Sequence, residues 1–441
     1  MFLQKKRTFF CEILKFNPLA ILNKRTVISF QYIYIFASQI IFFTMQYNKL
    51  NNLVGWLVFL IATTVYFMTI ESTASLWDCG EYITAAYKLE VGHPPGAPLF
   101  MVLGRLFSFF AEPAMVAVWI NRLSALSSSF TILFMFWSIT MLAKKMLQRN
   151  NREWSKGDQI AALGAGIVGA LAYTFSDSFW FSAVEGEVYA MSSLFSAVIF
   201  WAILKWDAEM TAIKFNELTG PQNPSRWLIL IMFLFGLAIG VHLLGLLAVP
   251  SIAFVMYFQL WEKVNLKGII ITGIISVVSL AFIQEGVIPG IVAIASSFEV
   301  TFVNSFGLPF FSGTVFFFIV LIALVAWGIN YAIKKAKPLL STILWGFVVL
   351  LIGYGSFAVI VIRSNANTPL DENDPENLVT LHAYLKREQY GSWPILNGNH
   401  WNSLREGEVM IDGEPQLQST DSWGDLSPFY LKRNVVMLGN N

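Results

Sequence analysis

Long apolar stretches separated by short polar ones run through most of this chain. A helix needs about 20 mostly apolar residues to cross the hydrocarbon core of a bilayer. Runs approaching that length lie near 53–70, 117–142, 159–176, 188–205, 227–241, 244–261, 268–283, 314–333 and 339–362. The pattern predicts about nine transmembrane helices, with a further apolar run at 28–44. The stretch 227–261 is nearly continuous and is divided at Gly240, His242, Gly245 and Pro250. After Arg363 the long apolar runs stop. The tail opens on the turn formers Asn365, Asn367, Pro369, Asp371, Asn373 and Pro375, then shows a helix-like stretch near 376–389 and a strand-like Asn434–Leu438.

Lysine and arginine orient the spans, because they collect on the cytoplasmic side. The loops 143–158, 205–226, 262–267 and 334–338 carry thirteen, whereas 71–116, 177–187, 242–243 and 284–313 hold only Lys88 and Arg105. Residues near 50 are therefore expected in the cytoplasm, and 71–116 and 363–441 outside. Residues 1–44 run against the rule, since a span at 28–44 would leave Lys5, Lys6, Arg7, Lys15, Lys24 and Arg25 outside. Met45, followed by Gln46, Asn48 and Lys49, reads as the true start, with 1–44 a spurious extension or a signal anchor. The expected layout is 1–44 as that extension, 45–362 as the membrane domain, and 363–441 as the opening of a truncated outer soluble domain.

Composition narrows the function classes. Hydrophobic residues make up 56% and charged residues 13%, with mean hydropathy +0.60, against about 25% charged in soluble domains. A soluble multidomain enzyme is excluded. A net charge of +1 leaves no basic surface for nucleic acid. Cys11 and Cys79 are the only cysteines, too few for a disulfide framework or a structural zinc site. No phosphate-binding loop occurs, which argues against ATP-driven transport.

Ionisable groups at membrane depth are costly and usually functional, so the polar clusters carry the chemistry. The first follows the first span: Asp78 and Glu81 are three apart and share a face if helical. The segment 81–91 has the apolar spacing of a short interfacial helix, after which His93, Pro94, Pro95 and Pro98 force a stiff, non-helical crossing. The structural alternative for Asp78 is a helix cap. The second cluster, Asp177 to Tyr189, contains Glu185 and Glu187. Glu187 falls where a charge–dipole contact at a helix start would explain it; Glu185, before Gly186, has no such explanation. His242 lies in a tight hairpin, where a helix–helix hydrogen bond is the plainer role. Arg363 follows the last span and is placed either to snorkel or to grip a phosphate with two parallel donors. Acidic pairs can bind Mg²⁺ or Mn²⁺, but the signal is nonspecific.

The run Trp77-Asp78-Cys79-Gly80-Glu81-Tyr82, followed by His93-Pro94-Pro95-Gly96-Ala97-Pro98-Leu99-Phe100, resembles the transmembrane protein 260-like family. That family shows an acidic D-S-G-E and then H-P-P-G-Y-P-L-F. Here Cys79 replaces the usual Ser and Ala97 the usual Tyr, leaving Asp78, Glu81 and the His-Pro-Pro-Gly turn in place. Ala183–Ala190 resembles the second outer motif and Gly236–Pro250 the glycine–histidine hairpin.

The resemblance implies an all-α polytopic membrane protein: a GT-C-like bundle with interfacial helices in the first outer loop, followed by an incomplete outer α/β segment. It implies a glycosyltransferase that moves a sugar, mannose in the vertebrate branch, from a polyprenyl-phosphate donor to Ser or Thr hydroxyls of exported proteins. Inversion in one step needs one base, worth roughly 10²–10⁴-fold. Asp78 is the expected base, with Glu81 orienting sugar or acceptor and Glu185 and Glu187 completing the acidic lining. Fixed donors for the departing phosphate are expected from His93, Arg105, His242 and Arg363. No cofactor is fixed by the resemblance, and Mg²⁺ or Mn²⁺ at the acidic pairs stays open as an alternative. A bacterial inner membrane with its active face to the periplasm is expected, and an endoplasmic reticulum membrane would present the same topology. A flippase for lipid-linked sugars and an envelope-complex scaffold are the competing classes, though neither an internal repeat nor midplane acids support the first.

Overall fold

The computed structural model describes residues 47–148, 154–215, 223–391, 408–411 and 414–417. The apolar run at 28–44, Met45 and the stretch Asn434–Leu438 lie outside the described residues. In chain order the helices are α1 (Tyr47–Met68), α2 (Cys79–Lys88), α3 (Pro98–Ser108), α4 (Val116–Leu147), α5 (Lys156–Thr174), α6 (Asp177–Val184), α7 (Val188–Lys214), α8 (Ser225–Ile239), α9 (Ala248–Leu260), α10 (Leu266–Ala281), α11 (Ile288–Val300), α12 (Ser312–Lys334), α13 (Pro338–Tyr354), α14 (Ala358–Ser364) and α15 (Leu378–Lys386).

Every predicted span is helical. Seven segments are long and apolar enough to cross a membrane: Tyr47–Met68, Pro113–Leu147, Val188–Lys214, Leu243–Leu260, Leu266–Ser305, Ser312–Lys334 and Pro338–Ser364. An eighth results if α5 and α6, bent by 65° at their junction, are taken together, and the remaining predicted span is the shorter apolar helix α8. The chain is a multi-pass, all-α membrane protein. One expectation is corrected. The outer segment placed at 284–313 is helical as far as Ser305, through π-helical turns at Phe282–Val287 and Thr301–Ser305. Pro289 is no obstacle there, because it sits in the first turn of α11, where its missing N–H is not needed.

Helix α4 is the hub, packed against α1, α5 and α7, while α8 lies along α13. Without a hydrophobic drive between helices in lipid, close approach at small residues holds such pairs together. At the α8–α13 crossing the backbones touch: a Cβ added to Gly353 would stand 2.6 Å from the Leu237 nitrogen. Four hydroxyls on α4 (Ser127, Ser129, Thr131 and Thr140) turn inward to their own helix backbone, as Ser127 does to the Leu123 carbonyl at 2.8 Å and Thr131 to that of Ser127 at 2.9 Å. Hydroxyls satisfied in this way can be buried between helices without a partner across the interface.

The described residues form two compact units divided between Lys386 and Arg387. In the first, α15 starts where the Asn377 side chain accepts from the Val379 and Thr380 nitrogens at 2.9 and 3.1 Å. The second contains a 3₁₀ turn at Glu388–Tyr390 and the antiparallel pair β1 (Glu408–Ile411) and β2 (Glu414–Leu417), with Glu408 opposite Leu417.

Candidate active site

The two acidic motifs meet at one end of the bundle, where α1 finishes and α4 and α7 begin. The loop after α1 is tied to the second motif at three places. The Glu71 nitrogen donates to the Val184 carbonyl at 3.0 Å. Asn121, fully buried in α4, donates to the Glu71 and Thr73 carbonyls at 2.8 and 3.1 Å. Ser75 donates to Glu185 Oε2 at 2.5 Å and lies 3.0 Å from the Cys79 sulfur. These contacts set Asp78 at the start of α2, beside the Glu185-Gly186-Glu187 turn.

Asp78 occupies the cap position of α2, but its side chain makes no capping hydrogen bond, and it is 54% exposed. The cap explanation therefore does not account for its carboxylate. Glu81, in the first turn, accepts from the His93 backbone nitrogen at 2.7 Å and from His93 Nδ1 at 2.9 Å. A carboxylate can only accept, so Nδ1 is the donor and Nε2 points toward Asp78 Oδ2, 4.0 Å away. Burial pushes the Glu81 carboxyl up, but the two His93 hydrogen bonds and the imidazole charge outweigh it and hold it below the usual value. His93 is raised in turn, first by the Glu81 hydrogen bond against the opposing effect of burial. Gly92 is required here, because a Cβ would collide with Glu81 Oε1.

The His-Pro-Pro-Gly crossing is braced from behind. The Tyr384 hydroxyl donates to the Gly92 carbonyl at 2.6 Å. Val91 pairs with the chain after α14, its nitrogen donating to Leu370 O at 3.0 Å and its carbonyl accepting from Glu372 N at 3.1 Å. The Leu99 nitrogen donates to the Gly240 carbonyl at 2.8 Å. The glycine–histidine hairpin is thereby joined to the same assembly.

Glu185 and Glu187 are 3% and 7% exposed. The Glu187 nitrogen bonds the Glu185 carbonyl at 3.0 Å, folding the turn so that both glutamates sit at the start of α7. Glu187 caps α7 by position but makes no side-chain cap bond. Burial first, then the Glu185 and Asp78 charges, push Glu187 up to about 7. The Cys79 thiol, also buried, is pushed up to about 12, chiefly by burial. Tyr82 lies between the two acidic groups, its ring edge-on to His93 at 5.6 Å. Burial and then the Glu187, Asp78 and Glu81 charges raise its phenol. Ligand atoms of Asp78, Glu81 and His93 fall within 4.8 Å of one another, as do those of Cys79, Glu185 and Glu187. In the first group Glu81 and His93 already satisfy each other, and in the second Ser75 occupies Glu185 and burial raises the Cys79 thiol. We assign no metal to either.

The remaining predicted residues are placed as follows. His242 Nδ1 accepts from the Leu244 nitrogen at 3.1 Å, and its ring meets the Tyr189 ring at 5.3 Å, next to Glu187. Arg105 donates to the Tyr87 carbonyl at 2.6 Å and lies over the Phe109 ring. Arg363 donates through Nε to the Leu89 carbonyl at 2.5 Å, at the C-terminal end of α2. Both arginines brace α2. Sequence reasoning did not single out Ser75, Asn121, Tyr82 or Tyr189. Below His242 a cavity of about 590 Å³ runs between α4, α7 and the α9 segment, lined among others by Thr131, Ser138, Leu142, Ser196, Phe200 and Leu244. Thr131 to Leu142 spans about 16 Å of helix. The Ser138 hydroxyl there is buried and has no hydrogen-bond partner among the described residues.

Comparison with known proteins agrees with the motif reading. Residues 78–265 match the family model for the protein O-mannosyl-transferase TMEM260 N-terminal domain. The chain is similar to the protein O-mannosyl-transferase tmem260 of Dictyostelium discoideum, 28% identical over 226 residues, covering 48% of this chain and 25% of that protein. It is also similar to TMEM260 of Mus musculus, 25% identical over 207 residues, covering 47% and 26%. The chain spans about a quarter of the length of the curated relatives it matches. No solved structure matches it. These comparisons support a TMEM260-like family.

Proposed function

We propose, with the TMEM260-like family as premise, that this chain carries the membrane portion of a protein O-mannosyltransferase of GT-C type. It transfers mannose from a polyprenyl-phosphate donor to Ser or Thr hydroxyls of exported proteins, on the outer face of the membrane, with inversion in one step. The observation that supports this best is Asp78. It is a half-exposed carboxylate with no capping bond, whose nearest basic group among the described residues is His93 at 4.0 Å, grouped with Glu81, Glu185 and Glu187.

Attack of a hydroxyl on an anomeric carbon needs a base to take the proton as the bond forms. Asp78 is free to do so. Glu81 takes up His93 Nδ1 and holds the ring toward Asp78, leaving Nε2 to face the departing phosphate. His242 stands on the other side of Tyr189. Arg105 and Arg363 serve by fixing α2, which carries both Asp78 and Glu81. The isoprenoid tail fits the cavity between α4 and α7, whose upper end lies two residues past His242. The donor phosphate then sits between that cavity and Asp78. The positive end of α7 faces the same place.

The test is transfer of radiolabelled mannose from polyprenyl-phosphate mannose to a Ser/Thr acceptor peptide, in membranes holding the full-length protein. GDP-mannose and polyprenyl-phosphate glucose serve as competing donors. Transfer from the mannose lipid is expected. Net movement of lipid-linked sugar across the bilayer without transfer would favour a flippase instead.

A further inference from the structure

Two buried carboxylates stand side by side in Glu185 and Glu187. Among the described residues neither has an ion-pair partner. The groups facing them come from every packed element. The start of α2 contributes Asp78, Cys79 and Tyr82, with Glu81 further along. The crossing after α2 contributes His93, whose charge is already engaged by Glu81. Tyr189 on α7 stands next to them, with His242 against its ring. From α4 come only Asn121 and Ser124, the latter 3.4 Å from the Glu187 carbonyl. Acids predominate among these groups, and the His93 imidazole is already bonded to Glu81. Close buried carboxylates in such a setting cannot both ionise.

We infer that Glu185 and Glu187 share a single proton at neutral pH, and that this proton keeps the pocket beside Asp78 receptive to an anionic sugar donor. The inference rests on the function proposed above for its second half only. Ser75 donates to Glu185 at 2.5 Å, which marks Glu185 as the accepting carboxylate and leaves the proton on Glu187. The pH at which Glu187 loses it, about 7, lies within the working range of a membrane enzyme. Once it is lost, a second negative charge appears at the start of α7, where the donor phosphate is placed. Donor affinity falls, while the chemistry at Asp78 is less affected. Glu187 is thus a positioning residue that acts through the charge of the pocket.

Two readouts test this on the full-length protein. Infrared difference spectra between pH 6 and pH 8.5 should show a protonated carboxyl band that disappears on raising the pH, and Glu187→Gln should lack that titrating band. This holds whether or not mannose is the sugar. In transfer assays with polyprenyl-phosphate mannose, the donor KM of the parent should climb roughly five- to tenfold over that interval, as for one added charge at about 10 Å. In Glu187→Gln, whose amide mimics the protonated acid, the KM should no longer climb. Glu185→Gln removes the charge beside Glu187, should move the band and the KM rise together to lower pH, and serves if the first variant does not fold. Absence of the titrating band in the parent overturns the shared proton. A band that titrates with a KM slope unchanged in the variants overturns its role in donor binding. A band present with no mannose transfer at all overturns the proposed function and leaves the shared proton standing.

Discussion

Both ends of the bundle bury acids, and they treat them in opposite ways. At the lysine-rich end, Asp207 on α7 is 6% exposed and its carboxylate meets Lys145 Nζ at 2.5 Å. One half-turn on, Glu209 accepts from Arg226 at 2.9 Å and from the Trp227 indole at 2.7 Å. Gln259 reaches the Asp207 carbonyl and Thr211, and Lys214 reaches the Gln259 carbonyl. Each charge there has a basic or donating partner, and the result is a clamp on the ends of α4, α7 and α9. At the other end of the same helices, among the described residues, Glu185 and Glu187 have no cation and Asp78 has no basic group closer than His93 at 4.0 Å. Fully paired buried charge fits structural work, whereas buried charge left without a counter-ion is a candidate for acting on a ligand, as in the function proposed above.

The largest effect should come from the unpaired end. Asp78→Asn is expected to lower transfer by about 10²–10⁴-fold with little change in thermal stability, checked by melting the purified variant alongside the assay. An effect on stability larger than on transfer would erase the contrast between the two ends.

The opposite signature is expected at the paired end. Lys145→Ala leaves Asp207 buried without its cation and should cost about 1–3 kcal/mol, read as a lower melting temperature, with transfer per folded molecule largely kept. Exposure of the Lys145 side chain, 58%, holds the cost to that range.

Smaller and pH-dependent effects sharpen the comparison. The Glu81–His93 pair has a defined window. Glu81, held below its ordinary 4.5, contributes stability above that pH and loses it as pH falls through its depressed value. His93, raised from 6.5, contributes fully below that pH and loses it as pH rises through its raised value. The pair is therefore strongest between pH 4.5 and 6.5. His93→Gln should remove ~1–2 kcal/mol there, and melting curves across pH should show the gap narrowing on both sides.

The smallest expected effect is that of Arg363→Ala. It frees the carbonyls at the end of α2 and should cost ~1 kcal/mol, with a modest loss of transfer that follows the loss of order in α2.

Much of the fold and the place of the candidate site were legible in the residues alone, whereas the paired acids Asp207 and Glu209 were not. Hydropathy marked every span, because a bilayer requires long apolar helices. The three-residue spacing of Asp78 and Glu81, and the stiff His-Pro-Pro turn after it, marked the site. What escaped notice depends on distant pairings. Ser75 meets Glu185 across 110 residues and Asn121 reaches back 50 to Glu71. A serine in a loop and an asparagine inside a span carry no signal until the chain is folded. Arg363 offered two readings, lipid or phosphate, and its closest bond is to a backbone carbonyl 274 residues earlier. The helix running to Ser305 was missed because the apolar run breaks at Gln284 and Glu285, whereas a π-helical turn continues the helix through them.

The most direct test compares two acid replacements on one protein: mannose transfer per folded molecule for Asp78→Asn and for Asp207→Asn, each against the parent. The account predicts transfer lost in the first and retained in the second, with the melting temperature lowered chiefly in the second. Equal transfer by Asp78→Asn and the parent would contradict it.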